Sequence, residues 1–242
     1  MSMTTVPPLD PDSALFLDFD GTLAPLQDDP QTVRLPRDGA AVLEELNDRL
    51  HGALALISGR DLRDLSRRTP QGVWRIGGHG LERCAPGEAP TPAPAPAPAA
   101  LAAALQEASA NHPGAWIEAK GEALALHYRA APRAEADLLR AATASIAAYP
   151  DYVVQAGKCV IEVKPRRADK GAALTRQMDE PAFRSRAPLM VGDDATDEDA
   201  MRAARRLGGD GVKVGPGETA AAFRMPDPAA VWTWLRHHAR NL

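Results

Sequence analysis

The 242-residue sequence lacks the features that mark secreted, membrane-bound and nucleic-acid-binding proteins. Its two cysteines, Cys84 and Cys159, are too few for a disulfide framework and lack the spacing of a metal site. No segment approaches the roughly 20 apolar residues of a membrane span, and the first residues show no basic or apolar region of a secretory signal. A net charge of −4 gives no reason to expect nucleic acid or an anionic membrane as a partner. We therefore expect a cytoplasmic protein with free thiols, and the sequence implies no protein partner.

Apolar residues make up 45% of the chain, which is enough for a substantial buried core. Short apolar runs alternate with amphipathic segments, a pattern typical of an α/β protein with a parallel sheet. The runs are apolar on both faces, as expected for strands that are covered by helices on both sides. The predicted core strands are ALFLDF (14–19), ALALIS (53–58), VWRIGG (73–78), APLMVGD (187–193) and GVKVG (211–215).

The middle of the chain has a different pattern, which indicates an inserted α+β domain. One predicted hairpin turns at Gly121 and Glu122, a helix follows over 132–149, and a second hairpin turns at Ala156 and Gly157. A Pro-Ala repeat over 85–100 precedes them and favours a semi-rigid polyproline spacer. The predicted domains are a parallel-sheet core, 1–83 with 165–242, and an inserted domain, 84–164.

Polar residues follow the predicted core strands, and they carry the chemistry of the sequence. Because ligands bind beyond the carboxyl ends of strands in an open parallel sheet, we expect these residues at one edge. A helix is also predicted to begin near Lys170, just before the strand at 187–193. The residues expected at this edge are Asp18, Asp20, Gly21, Thr22, Ser58, Gly59, Arg60, Lys170, Asp193, Asp194 and Asp197.

Their chemical types suit phosphoryl transfer. Clustered aspartates repel one another unless a cation neutralises them, and their hard oxygen ligands suit Mg²⁺. A hydroxyl group, backbone N–H groups beside glycines and Lys170 at a helix start would bind a phosphate. A carboxylate among these groups can attack phosphorus and form an aspartyl-phosphate, while its neighbour transfers the proton.

Each element has a purely structural alternative. Asp18 and Asp20 could form a turn, and the Ser58–Arg60 segment is a common turn sequence. The acidic run after Gly192 could only cap a helix, since Thr196 and Asp199 have the spacing of a capping box. The joint occurrence of these elements at the ends of successive strands favours a catalytic site.

These residues resemble the motifs of the haloacid dehalogenase superfamily of phosphohydrolases. DFDGT (18–22) is similar to its first motif, Ser58 to its second, Lys170 to its third and GDDATD (192–197) to its fourth. The resemblance implies a Rossmann-like core with an inserted cap, Asp18 as nucleophile and Asp20 as acid and base. It also implies Mg²⁺ on Asp18, Asp193 and the Asp20 carbonyl, with Asp194 and Asp197 orienting waters or Lys170. Thr22, Ser58, Gly59 and Arg60 would bind the phosphate.

Further stretches are similar to the trehalose-6-phosphate phosphatase family: SGR (58–60), GGHGLE (77–82), IEAKGEALALHYR (117–129) and GKCVIEVKP (157–165). This resemblance implies trehalose 6-phosphate as a small-molecule substrate, with sugar contacts from Glu118, Lys120 and Glu162. His127, Arg129 and Lys158 are neighbouring candidates. Glu118 and Lys120 would share one face of a strand, and so would Lys158 and Glu162 if their strand is unbroken. The structural alternative is an exposed sheet face with cross-strand ion pairs.

Other functions stay open at this point. A related phosphatase could act on another sugar or polyol phosphate. A phosphoacceptor signalling domain also groups aspartates, a hydroxyl and a lysine around Mg²⁺, but Asp20 would promote loss of the phosphoryl group that such a domain must keep. A non-catalytic sugar-phosphate sensor would need neither Asp18 nor Asp20.

Overall fold

The computed structural model describes residues 6–27, 29–157 and 159–242. The chain forms a core unit, Met1–Thr91 with Asp169–Leu242, and an inserted unit, Pro92–Ala168. These bounds fall later in the chain than the predicted divisions after residues 83 and 164. At the first division the reason is a short strand, Glu82–Cys84, which pairs with the core sheet and holds the following residues in the core unit.

A largely parallel sheet forms the centre of the core unit. Its order is β11-β10-β9-β1-β2-β3-β4, with β3 and β4 antiparallel and the other neighbours parallel. The predicted core strands are confirmed, whereas the short β4 and β11 were not predicted. The strands are β1 (Ser13–Leu17), β2 (Leu54–Ile57), β3 (Trp74–Gly77), β4 (Glu82–Cys84), β9 (Ala187–Gly192), β10 (Asp210–Val214) and β11 (Phe223–Met225).

Amphipathic helices accompany this sheet and complete its core. β1 is buried along its whole length, which explains why its sequence is apolar on both faces. Phe16 and Met190 of the sheet belong to the same buried cluster as Leu43 and Leu235 of the helices. The helices are α1 (Gly39–Arg49), α2 (Leu62–Arg68), α5 (Lys170–Gln177), α6 (Ala195–Arg206) and α7 (Pro228–Asn241).

The order of the sheet reverses between β1 and β9. From β1 the chain proceeds to β2 and β3 on one side, whereas β9, β10 and β11 follow on the other. Such a reversal leaves a crevice beyond the carboxyl ends of the two central strands, where α/β proteins bind ligands. This topology places the residues that follow β1 and β9 at a preformed binding position.

The inserted unit is an antiparallel sheet in the order β5-β6-β8-β7, with helices packed on one face. The first hairpin turns at Gly121 and Glu122 as predicted, but the second turns after Gly157, later than predicted. Helix α3 was not predicted because its alanine-rich sequence has no clear apolar stripe. The elements are α3 (Ala99–Ala110), β5 (Trp116–Lys120), β6 (Ala123–His127), α4 (Glu135–Ser145), β7 (Tyr152–Gly157) and β8 (Val160–Pro165).

The Pro-Ala repeat is not solvated along its whole length. Ala97 belongs to the apolar cluster of the inserted unit, and its N–H donates to the carbonyl of Gly121 at 3.0 Å. A methyl group on Gly121 would lie 3.0 Å from Pro94. The end of the repeat therefore packs against the first hairpin of the inserted unit.

The structure bears on two expectations from the sequence, the state of the cysteines and the lack of a membrane-spanning helix. Cys84 and Cys159 are free thiols, as predicted. Within the described part of the chain, no helix combines the length and the apolar character that crossing a membrane requires.

We predict that Leu126→Ala lowers the free energy of unfolding of the inserted unit by about 2–5 kcal/mol, because Leu126 is fully buried in its apolar cluster. Leu139→Ala is the matched control, since Leu139 on α4 is 36% exposed, and should change stability by about 0.5 kcal/mol or less. Urea unfolding measures both. Equal destabilisation by the two substitutions would contradict the assigned core.

Candidate active site

The acidic residues that follow β1 and β9 meet at the crevice. β1 and β9 pair in parallel with Leu17 opposite Val191, so Asp18 and Asp193, one and two residues further along their chains, leave the sheet at the same edge. Carboxylate oxygens of Asp18, Asp193 and Asp197 lie within 4.8 Å of one another, and all three residues are buried. Residues far apart in the sequence thus form one anionic cluster.

Lys170 lies inside this cluster. It is the first residue of α5, which is capped by the Asp169 side chain, and its own side chain is 2% exposed. Its Nζ donates to Asp18 Oδ1 at 2.8 Å and to Asp197 Oδ1 at 2.7 Å. Burial alone would lower the pKa of Lys170, but the charges of Asp18 and Asp197 outweigh it and raise the pKa well above its ordinary value.

Asp197 connects Lys170 to the main chain of Asp193 and Asp194. Its Oδ2 accepts the backbone N–H groups of Asp193 at 2.9 Å and Asp194 at 3.0 Å, while Oδ1 accepts from Lys170. Burial raises the pKa of Asp197 to about 7, although the Lys170 charge opposes the change. Both of its oxygens are engaged with protein donors, so Asp197 orients neighbouring groups.

The cap of α6 differs from the sequence expectation. The capping box consists of Asp194 and Asp197, not Thr196 and Asp199. Asp194 Oδ1 accepts the N–H of Thr196 at 2.8 Å and that of Asp197 at 3.1 Å. An aspartate cap is equally effective at a helix N-terminus, and here it also fixes Asp197.

The cluster fits a divalent cation. Burial raises the pKa of Asp18 above its ordinary value, and the charge of Asp197 raises it further against the opposing charge of Lys170. Three carboxylates with one lysine leave a net negative charge in a buried place, which is unfavourable without a counter-ion. Hard oxygen donors at this separation are the ligands that such a cation prefers.

Gly21 allows the close approach of Asp193 to the loop after β1. Its φ of +81° is a conformation that glycine adopts without strain. A Cβ atom there would lie 2.4 Å from Cγ and Oδ2 of Asp193. Glycine in the DFDGT segment is therefore required both by the turn and by the acidic cluster.

Arg60 contacts the second aspartate of this segment rather than an open phosphate position. Its Nε donates to Asp20 Oδ2 at 2.6 Å and its Nη2 to Asp20 Oδ1 at 2.7 Å. Nη1 donates to Asp64 at 2.7 Å, and Nη2 also to the Pro30 carbonyl at 2.9 Å. The predicted phosphate-binding role of Arg60 has no support in this arrangement, because the guanidinium is committed to protein acceptors.

Ser58, Gly59 and Thr22 lie near the same edge. Ser58 follows β2, is buried, and accepts the N–H of Arg60 on Oγ at 3.1 Å. Thr22 Oγ1 is buried and has no hydrogen-bond partner among the described residues. A Cβ on Gly59 would lie 2.5 Å from the ring of His79, a buried residue with φ of +56° that donates its N–H to Ser58 O. Sequence reasoning did not assign a role to His79.

The candidate sugar-binding residues lie on one face of the sheet in the inserted unit. The register aligns Glu118, Ala125 and Glu162 in one row, so the backbones of the two glutamates lie two strands, or about 10 Å, apart. The opposite face carries Leu126 and Ile161 and belongs to the apolar cluster. One face therefore stabilises the unit and leaves the other for polar residues.

Glu118 organises one end of this polar face. Its Oε2 lies 2.9 Å from His127 Nε2 and 3.5 Å from Lys120 Nζ. Burial alone would raise the pKa of Glu118, but the His127 hydrogen bond and the Lys120 charge outweigh it and lower the pKa. The contacts agree with cross-strand ion pairs as well as with a polar binding surface.

The other predicted sugar-binding residues are placed differently. Glu162 Oε2 lies 3.8 Å from Nζ of Lys164, a buried lysine on the same face that sequence reasoning missed. Arg129 is exposed in the turn after β6. Lys158 lies outside the described residues. The strand of Glu162 does not extend through Cys159, because β8 begins at Val160 and Cys159 has a φ of +59°.

Trp116 is a further residue of this face that the sequence reasoning missed. Its ring stacks on His127 with centroids 4.2 Å apart and an interplanar angle of 15°, and the residue is 44% exposed. Only the strand register, which pairs Trp116 with His127, brings the two rings together. An exposed aromatic ring beside carboxylates is a suitable surface for a sugar.

Comparison with known sequences identifies relatives along most of the chain. Residues 16–226 match the family model described as trehalose-phosphatase. The trehalose-6-phosphate phosphatase of Escherichia coli (strain K12) is 39% identical over 236 residues, which are 96% of this chain and 89% of that protein. A probable trehalose-phosphate phosphatase of Sinorhizobium fredii (strain NBRC 101917 / NGR234) is 40% identical over 206 residues, 84% of this chain and 78% of that protein.

Solved structures share the fold. The C-terminal domain of C. albicans trehalose-6-phosphate phosphatase has a TM-score of 0.84 at 23% identity, over 96% of this chain and 94% of that one. A haloacid dehalogenase-like hydrolase from B. subtilis has a TM-score of 0.62 at 16% identity, over 95% and 99%. These likenesses confirm the expected haloacid dehalogenase fold.

We predict that Gly21→Ala weakens divalent-cation binding by about tenfold or more, because the added methyl group displaces the Asp193 carboxylate. Gly87→Ala is the matched control. Gly87 has φ of +78° but no atom within 4 Å of an added Cβ, so it reproduces the backbone strain alone. The measurement is the rise in Tm with cation concentration; wild-type cation binding by Gly21→Ala would contradict the contact.

Proposed function

The chain belongs to the trehalose-phosphatase family, and on this premise we propose that it hydrolyses trehalose 6-phosphate to trehalose and phosphate. The observation that carries the proposal is the convergence of Asp18, Asp193, Asp197 and Lys170 at one buried edge. This set of groups suits phosphoryl transfer through a covalent intermediate on a carboxylate.

Asp18 is the proposed nucleophile. One of its carboxylate oxygens attacks phosphorus in line, the bond from phosphorus to the sugar oxygen breaks, and trehalose leaves with a proton. Water then attacks the aspartyl-phosphate, which releases phosphate and restores the carboxylate. The hydrogen bond from Lys170 to Oδ1 orients the Asp18 carboxylate for this attack.

Asp20 is the proposed acid and base. It donates a proton to the departing sugar oxygen and later removes one from the attacking water. Both carboxylate oxygens of Asp20 accept hydrogen bonds from Arg60 in this structure, so proton donation requires Asp20 to exchange Arg60 for substrate. We therefore assign Arg60 to the positioning of Asp20, in place of the phosphate contact expected from the sequence.

Mg²⁺ is the proposed cation. The Asp18 and Asp193 carboxylates and the Asp20 backbone carbonyl would hold it, since all are hard oxygen donors. When bound, it would neutralise the carboxylates and polarise the phosphoryl oxygens. Lys170, Ser58 and Thr22 would bear the remaining charge of the phosphoryl group, with the orphaned Thr22 hydroxyl as a donor.

The polar face of the inserted unit is the proposed sugar-binding surface. Glu118 and Glu162 offer acceptors from strands about 10 Å apart, and Lys120 and His127 offer donors. A disaccharide needs both, because each hydroxyl donates and accepts hydrogen bonds. In this proposal the inserted unit selects the sugar, and the core unit carries out the chemistry on the phosphoryl group.

Another sugar or polyol phosphate is the second candidate substrate, because the core chemistry is the same for any phosphate monoester. A phosphoacceptor signalling domain is less well supported, since Asp20 next to Asp18 favours hydrolysis. The cytoplasmic location and the lack of macromolecular partners stay predictions from the sequence.

We predict that the protein releases phosphate from trehalose 6-phosphate with Mg²⁺ and that EDTA abolishes the reaction. Asp18→Asn should reduce the rate by at least about 10³-fold, because the amide is not a nucleophile. Asp179→Asn, an exposed substitution of the same kind, is the control. Undiminished phosphate release by Asp18→Asn would refute the assignment of Asp18 as the nucleophile. Preferential release from another compound in a panel of sugar and polyol phosphates would favour the second candidate.

We predict that Glu118→Gln lowers kcat/KM for trehalose 6-phosphate about 10–100-fold, the effect of losing hydrogen bonds to a charged group. Turnover of p-nitrophenyl phosphate, which has no sugar, should change little. Glu107→Gln on the exposed side of α3 is the matched control. Equal losses on both substrates would speak against sugar recognition by Glu118.

A further inference from the structure

We propose that Lys213 is a positioning residue for the cation site, because its side chain holds the backbone of Asp193. Lys213 lies on β10 directly opposite Gly192, the residue before Asp193 on the neighbouring strand. Its Nζ donates to the Asp193 carbonyl oxygen. The inference rests on the proposed function, in which Asp193 is a ligand of the cation.

Burial of a lysine side chain at this position is energetically unfavourable. Lys213 is 4% exposed, and its sequence neighbours on β10, Val212 and Val214, are buried as well. A buried ammonium group loses its hydration, which is strongly unfavourable unless protein groups replace the water. Lys213 Nζ contacts the Asp193 carbonyl oxygen and lies 3.8 Å from Oε1 of the Glu198 carboxylate.

The contact of Lys213 restricts the main chain of Asp193 on its carbonyl side. Asp197 Oδ2 accepts the N–H of Asp193, and Lys213 donates to its C=O, so the main chain is held on both sides of the residue. With these groups held, the direction of the Asp193 Cα–Cβ bond is set before any cation binds. Outer partners that orient metal ligands in this way change metal affinity about 10–100-fold when they are removed.

The test is Mg²⁺ binding to the protein alone, without substrate, by wild type and by Lys213→Met. Methionine keeps the length and apolar body of the side chain but cannot donate to the carbonyl. We expect about tenfold weaker Mg²⁺ binding by calorimetry. Loss of a nearby positive charge would by itself strengthen Mg²⁺ binding, so the sign separates positioning from simple electrostatics.

Val212→Ala is the matched control, because it destabilises the same strand without removing the contact. It should bind Mg²⁺ as the wild type does, with a lower urea midpoint. If Lys213→Met does not fold, Lys213→Gln retains a shorter donor and should also bind Mg²⁺ more weakly than the control. Unchanged or tighter binding by the Lys213 variants would overturn the proposal. Failure of the wild type to bind Mg²⁺ would instead refute the proposal that Mg²⁺ is the cation of this site.

Discussion

The ion triad of Lys170, Asp18 and Asp197 is the interaction on which the site depends. Lys170 and Asp18 are 152 positions apart in the sequence, yet their side chains meet at 2.8 Å in a buried place. Each of these charges would be strongly destabilising without the others, because burial removes the water around it. The triad therefore forms only when α5, β1 and α6 are docked correctly, so correct folding and correct placement of Asp18, the proposed nucleophile, are one event.

The structural and catalytic interpretations of the acidic motif are not exclusive. Asp194 and Asp197 form a capping box that begins α6, as a folding argument demands. The same Asp197 orients Lys170 and the main chain of Asp193. A residue of the helix cap thus also holds the groups of the candidate site in place. Substitutions in this motif should consequently affect stability and chemistry together.

The sequence predicts local features well and long-range partners poorly. Apolar runs on both faces locate the core strands, and the residues that follow them locate the site, because parallel strands end at one edge. Helix α3 has no such pattern, since alanines give little contrast between its faces. The pairing of Arg60 with Asp20 across forty positions and the stacking of Trp116 on His127 depend on geometry that no local motif contains.

The inserted unit shows how a small sheet can serve two purposes. Strand residues alternate between faces, so Leu126 packs in the apolar cluster while its neighbours on the sequence, Ala125 and His127, lie on the other face. The cluster stabilises the unit whatever the polar face carries. If Glu118 contacts the sugar as proposed, substrate preference can therefore change through this residue without loss of the fold. The core unit has no such freedom, because the groups beside Asp18 are bound to one another and each replacement leaves a buried partner unpaired.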